Sequence, residues 1–215
     1  LYFTYRGEVV TTKEKIAQAA LELFSVRGYE AVSVRDIAGA VGIKESSIYN
    51  HFKCKQAIFD ALVEESGRQI EAIFAPYHLT GRPGPALAEM DFMRDTEALA
   101  ALTGDVFLRF ITDDGLRMFR QMLTLEQYRN GEAGRCYRDI FIEAPIRFQT
   151  ALFAQMMQRG IFRPGDPGAA AAQFYGPIFL LFSRCGGSAE EDAVRSALRD
   201  HVLQFASVYE TEPNH

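Results

Sequence analysis

The stretch from Ser33 to Lys55, SVRDIAGAVGIKESSIYNHFKCK, constrains the fold more than any other part of the chain. It reads as two short helices joined by a tight turn. Ser33 can cap the first by accepting a bond from the amide of Arg35 or Asp36. Val34, Ile37, Ala38 and Val41 then recur at helical spacing on one face. Gly42 stands where that helix must stop, and glycine enters a left-handed turn without steric cost. The second helix is expected from Lys44 to His51. Its apolar positions, Ile48 and Phe52, are four apart, and Lys44, Ser46, Ser47, Tyr49, Asn50 and His51 fill its other faces. A pair of this kind can lay its second helix in a DNA major groove, where short polar side chains meet base edges. An ordinary helical hairpin with a solvated face has the same spacing.

Residue identities carry more than the spacing. Arg35-Asp36-Ile37-Ala38, Val41-Gly42-Ile43, Ser47-Ile48-Tyr49-Asn50-His51-Phe52-Lys53 and Lys55 resemble the tetracycline-repressor (TetR) family of bacterial transcription regulators. The resemblance extends back over Ile16 to Phe24 and Arg27-Gly28-Tyr29, and covers about the first quarter of the chain. It implies a three-helix DNA-binding domain followed by a helical ligand-binding and dimerisation domain, in a homodimeric repressor. Glu45 stands where the family often has Lys, Ser46 where it often has Gly, and Cys54 where a capping Ser or Asn is usual. An acidic Glu45 would repel phosphate, so it must point at a cytosine amine or away from the duplex. The candidate DNA-binding residues are Ser33, Lys44, Ser46, Ser47, Tyr49, Asn50, His51, Lys53 and Lys55. Tyr49, Lys53 and Lys55 are expected on phosphates.

The 215 residues suffice for one large domain or two small ones, and 48% hydrophobic with 24% charged residues suits a globular chain. The net charge is −5, but every lysine lies between Lys13 and Lys55, so the acidic excess falls outside the motif region. Cys54, Cys136 and Cys185 show neither a metal-binding spacing nor a disulfide framework, which suits a reducing cytoplasm. No apolar run approaches membrane-spanning length, and no secretory signal is read. Leu1-Tyr2-Phe3 reads as part of a protease-site tag and is set aside.

Along the chain, Thr11 and Glu14 have capping-box spacing, opening a helix near Thr12 with Ile16, Ala17, Ala20, Leu21 and Phe24 as its buried stripe. A longer helix from Lys55 carries Ile58, Phe59, Leu62, Val63, Ile70 and Phe74. TGRPGP at Thr80–Pro85 reads as a linker, and helix is expected from Leu87, with breaks, to Ile111. Asp113-Asp114-Gly115 is a turn before a helix from Leu116 to Tyr128, and Asn130-Gly131 and Gly134 break the pattern again. A long apolar helix from Arg135 to Arg159 contains Pro145, which frees the Phe141 carbonyl and bends the rod. Pro167 to Arg184 follows, kinked at Gly176-Pro177. Ser188 and Glu191 offer another capping box before the last helix, which carries Val194, Leu198, His201, Val202, Phe205 and Tyr209. No strand or repeat is read. The expectation is an all-α chain of about nine helices, with a DNA-binding domain over residues 4–54 and a body over 55–215.

Phe107, Phe110, Met118, Met122, Tyr128, Tyr137, Phe141 and Phe148 come from several helices and can line an apolar effector pocket, adaptable through its methionines. An ordinary core uses the same residues. Arg109, Arg120, Arg138 and Arg147 can anchor an acidic ligand or lie outside. Phe174, Ile178, Leu181, Phe182, Leu198, Val202 and Phe205 are expected at a dimer interface, because a helix apolar on nearly every side needs covering twice. No metal, cofactor or catalytic residue is expected: His78, His201 and His215 and the three cysteines lack partners at catalytic spacing. The expected partners are a pseudo-palindromic DNA operator, a small apolar effector and a second copy of the chain, with no membrane. A helical interaction or small-molecule-carrier protein that does not bind DNA is the competing class.

Overall fold

The computed structural model describes residues 11–75, 95–184 and 191–211. They are all-α apart from one isolated bridge pairing Phe162 with Glu210. In order, the helices are α1 (Thr12–Arg27), α2 (Val34–Val41), α3 (Glu45–Ile48), α4 (Lys55–Phe74), α5 (Thr96–Thr112), α6 (Asp114–Glu126), α7 (Gly131–Arg138), α8 (Ala144–Gln158), α9 (Pro167–Arg184) and α10 (Glu191–Tyr209). A π-helical turn, Asp139–Glu143, joins α7 to α8, so these ten helices make nine rods. The Thr80–Pro85 linker, the start at Leu87 and the Ser188–Glu191 cap lie outside the described residues. No described helix is long and apolar enough to cross a membrane.

The chain parts into two compact units, Leu1–Gln69 with Gly115–Tyr137, and Ile70–Asp114 with Arg138–His215. This division cuts across the segments 4–54 and 55–215. α4 contributes to both units, and α6 with most of α7 goes with the N-terminal helices.

In the first unit, capping chemistry sets the helix starts. The Thr11 hydroxyl accepts from the Glu14 amide while the Glu14 carboxylate accepts from the Thr11 amide, and Ser33 and Asp36 repeat the arrangement at α2. Each box satisfies amide groups that a helix N-terminus leaves without intrahelical acceptors. Gly42 ends α2 in the left-handed region (φ 78°, ψ 29°), its amide bonding back to the Ala38 carbonyl. Ile16, Ala20, Leu21, Phe24, Ile37, Ala38, Ile48, Phe52, Ile58, Phe59 and Leu62 form the core here, joined by Phe119, Met122 and Leu123 of α6. Tyr29 bridges α1 and α4 through its ring, 5.3 Å from Phe24 and 5.4 Å from Phe59 between centroids.

In the second unit, α5 lies against α10 and α8 against α9. An aromatic cluster fills the space between them, with the Phe205 ring 5.4 Å from Phe153 and 5.0 Å from Phe174. Outer ion pairs tie α10 to α5: Arg195 to Asp105 at 2.7 Å and Arg199 to Glu97 at 2.6 Å. The dimer residues read from the sequence need correction here. Phe174, Ile178, Phe182, Leu198, Val202 and Phe205 are 0–6% exposed within this core, and Leu181 is half-buried against it. α5 and α8 cover them, an intramolecular solution that helix periodicity alone does not distinguish from a partner chain.

Pro145 acts otherwise than as a simple kink. It has no N–H to give the Phe141 carbonyl, and the backbone answers with the π turn, in which the Ala144 amide bonds to the Asp139 carbonyl. The Phe141 carbonyl is not left over for a ligand: the buried Tyr175 hydroxyl of α9 donates to it at 2.7 Å.

Candidate functional site

The helix-turn-helix is built from α2, the Gly42 turn and α3. α3 is shorter than the span from Lys44 to His51 read from the sequence. Only Glu45–Ile48 is α-helical, and the rod continues to His51 as tighter turns, with the Asn50 amide on Ser47 and the His51 amide on Ile48. Lys44 gives no side-chain cap to its start, and short uncapped helices tighten readily at their ends. Ile48 and Phe52, 1% and 4% exposed, hold the segment to the core. Lys44, Glu45, Ser46, Tyr49, Asn50, His51 and Lys53 all face solvent, and Ser47 is half-buried. Tyr49 is 52% exposed, too much for a core aromatic and ample for reaching a phosphate.

Two candidates are otherwise engaged. The Ser33 hydroxyl donates to Asp36 at 2.5 Å and accepts the Asp36 amide at 3.1 Å, so its proton serves the cap. Donation to the carboxylate from the Ser33 hydroxyl first, and then from the Ser33 amide at 2.8 Å, holds the Asp36 carboxyl below the usual carboxylate range, with Arg27 adding to the effect. Lys55 does not project as a free phosphate cation. Its Nζ donates to the carbonyls of Tyr29 at 2.9 Å and Val32 at 3.0 Å, and stands 4.1 Å from the Tyr29 ring centroid. It clamps the turn that leads into α2. That role also answers the cation's poor fit to the dipole at the start of α4.

A second grip on the same turn was not read from the sequence. Glu126 of α6 is fully buried, and its Oε1 accepts the Tyr29 amide at 2.8 Å, while Oε2 has no hydrogen-bond partner. Gly28, with φ +80°, lets the carboxylate approach; a Cβ there would lie 2.7 Å from Glu126 Oε1. The available signal was periodicity: Phe119, Met122, Leu123 and Glu126 share one helical face, with an acid completing an apolar stripe.

The second unit holds a cavity of about 600 Å³ lined by side chains of α4, α5, the π turn, α8 and α9. Of the expected pocket residues, Phe107, Phe110, Phe141 and Phe148 line it, as does Pro145. Met118, Met122, Tyr128 and Tyr137 do not. They belong to 115–137, which packs in the first unit, where Met122 is core and Tyr128 is 92% exposed. Arg147 is the one proposed arginine on the cavity wall, and it pairs with Asp139 at 2.9 Å. Among the wall residues not expected from the sequence are Gln149, 7% exposed, Thr103 and Tyr175, together with Phe174 and Phe182, which were expected at a dimer interface. His201 packs as expected, its ring against Phe174 and its Nε2 2.7 Å from the Phe174 carbonyl oxygen.

The described residues thus present a capped helix-turn-helix with a polar outer surface among helices. Residues 16–62 match the family model "Bacterial regulatory proteins, tetR family". The biofilm operon icaADBC HTH-type negative transcriptional regulator IcaR of Staphylococcus aureus (strain Newman) is 42% identical over 52 residues, 24% of this chain and 28% of that protein. The HTH-type transcriptional repressor KstR2 of Mycobacterium tuberculosis is 37% identical over 57 residues, 26% of this chain and 28% of that one. The matches thus span little more than a quarter of these curated relatives. The fold likeness is wider: a protein of Mesorhizobium loti assigned to the TetR family of transcriptional regulators superposes with a TM-score of 0.65 at 20% identity, over 93% of this chain and 96% of that one. Over residues 16–62 the chain is thus similar to the tetR family of bacterial regulatory proteins, and its described helices share the fold of the Mesorhizobium loti protein.

Proposed function

We propose that the chain is a cytoplasmic DNA-binding transcription regulator, a homodimeric repressor released from its operator by a small apolar molecule. The observation that carries this reading is the outer surface of the helix-turn-helix. Lys44, Ser46, Tyr49, Asn50, His51 and Lys53 are exposed together on a segment anchored by only Ile48 and Phe52. Tyr49 and Lys53 hold phosphates, while Ser46, Ser47 and Asn50 meet base edges. Two heads related by a two-fold axis would read half-sites ~34–36 Å apart on a roughly palindromic operator.

The apolar cavity supports the effector half of the reading, since small-molecule sites are concave, mostly apolar and few per protein. Release requires the effector to prefer a conformation that misfits the operator, because equal affinity for both states shifts nothing. α4 is the element that carries such a shift: it begins at Lys55, beside the clamped turn, and contributes Ile70 and Phe74 to the cavity wall.

Affinity for an operator library at two salt concentrations tests the DNA half. Tyr49→Ala weakens binding at every sequence. Lys53→Ala lowers the salt slope by about one unit. Asn50→Ala relaxes preference at particular bases. Unchanged affinity and salt slope in both Tyr49→Ala and Lys53→Ala would sink the docking scheme.

A further inference from the structure

The cavity wall is almost entirely apolar, and most of its few polar groups are already engaged. The Thr103 hydroxyl donates to the Leu99 carbonyl at 2.8 Å, the Tyr175 hydroxyl to Phe141 at 2.7 Å and Arg147 to Asp139 at 2.9 Å. Glu71 is solvent-exposed. Gln149 differs. It is 93% buried, its Oε1 has no hydrogen-bond partner, and no other described residue bonds its amide. A buried amide left in this state costs stability that a leucine would recover, and it stands in an apolar stripe with Leu152, Phe153 and Met156. With no bond from a described residue holding the amide in either orientation, a half-turn about its last side-chain torsion presents oxygen or nitrogen to the cavity.

We propose that Gln149 selects the effector, and that the effector is a neutral, mostly apolar molecule carrying a hydroxyl group. This rests on reading the cavity as the effector site. A hydroxyl donates to Gln149 Oε1, and the surrounding rings take the hydrocarbon part. A carboxylate is disfavoured, because the lining cation, Arg147, already has Asp139 beside it. The remaining hydroxyls on the wall have spent their protons, so they offer acceptors and again favour a ligand that donates.

The probes are 4-octylphenol and octylbenzene, which differ by one hydroxyl. Each is titrated calorimetrically into the full chain without DNA. Gln149→Leu, and Gln149→Met as the variant closest in shape, weaken 4-octylphenol about tenfold, the worth of one buried hydrogen bond, and leave octylbenzene binding as in the wild type. Retained octylbenzene binding also reports that the variant is folded. The proposal is overturned if both compounds weaken by the same factor, if neither changes, or if neither binds the wild-type chain. Because DNA is absent, such a result leaves the DNA-binding reading to the Tyr49→Ala test.

Discussion

Asp36 and Glu14 show how much a single side chain sets in this head. Each closes a capping box, and each carboxyl is held below the usual carboxylate range: Asp36 by the Ser33 hydroxyl and amide, Glu14 by the Thr11 amide first and then its hydroxyl. A carboxyl whose folded value is depressed contributes stability that is complete above its unfolded value and is lost as pH falls through the folded one. The head therefore loses stability on acidification below the ordinary carboxylate range. Urea unfolding followed by circular dichroism from pH 7 to pH 3 checks this. Asp36→Asn is less stable than the wild type at pH 7, and the gap narrows in acid. A constant gap across the series would mean that the cap does not titrate in this way. Ser33 and Asp36 were readable because a cap is a local device, its partners three residues apart. Lys55 was not, because its acceptors on Tyr29 and Val32 lie more than twenty residues away.

Among the elements, the rod from Gly131 to Gln158 is the most informative. The sequence marks Pro145 as an interruption, and a proline inside a helix must leave one carbonyl short of its amide. The π turn and the Tyr175 hydroxyl answer that defect together, joining α9 to the π turn by one buried bond. Tyr175→Phe removes the bond while keeping the ring, and it costs about 1–2 kcal/mol of stability, the range for a lost buried hydrogen bond. Chemical denaturation measures it. The same substitution in a Pro145→Ala background costs less, because alanine restores an amide to the Phe141 carbonyl; equal costs in both backgrounds would refute this coupling. Proline position was legible as a defect, but the identity of the repairing side chain was not.

The assembly calls for separating core from surface. Leu198 and Phe205 are buried within the chain's own aromatic cluster, so Leu198→Glu places a charge in that core and unfolds the second unit rather than parting two subunits. Leu180 is the large hydrophobic side chain that α9 exposes, at 57%. If copies pair through the outer face of this helix, Leu180→Glu gives a monomer by light scattering with its thermal unfolding midpoint close to that of the wild type. A Leu180→Glu protein that keeps the wild-type mass places the pairing elsewhere.

Local chemistry fixed the helix starts, the glycine turn, the buried pairs such as Ile48 and Phe52, and the all-helical class, because caps and periodicity act over a few residues. The resemblance over the first quarter pointed to the family for the same reason: its residues are contiguous. Packing decided the rest. A helical stripe states that a face is buried but not what buries it. Phe119, Met122 and Leu123 could have faced a ligand as well as a head, and Phe174 and Leu198 a partner as well as their own chain. Glu126 and Gln149 carry the same lesson in polar form. Each interrupts an apolar stripe, which is visible in one dimension. Only the fold shows that Glu126 meets the Tyr29 amide while Gln149 meets a cavity, because which backbone or space lies opposite depends on contacts between segments far apart in the chain.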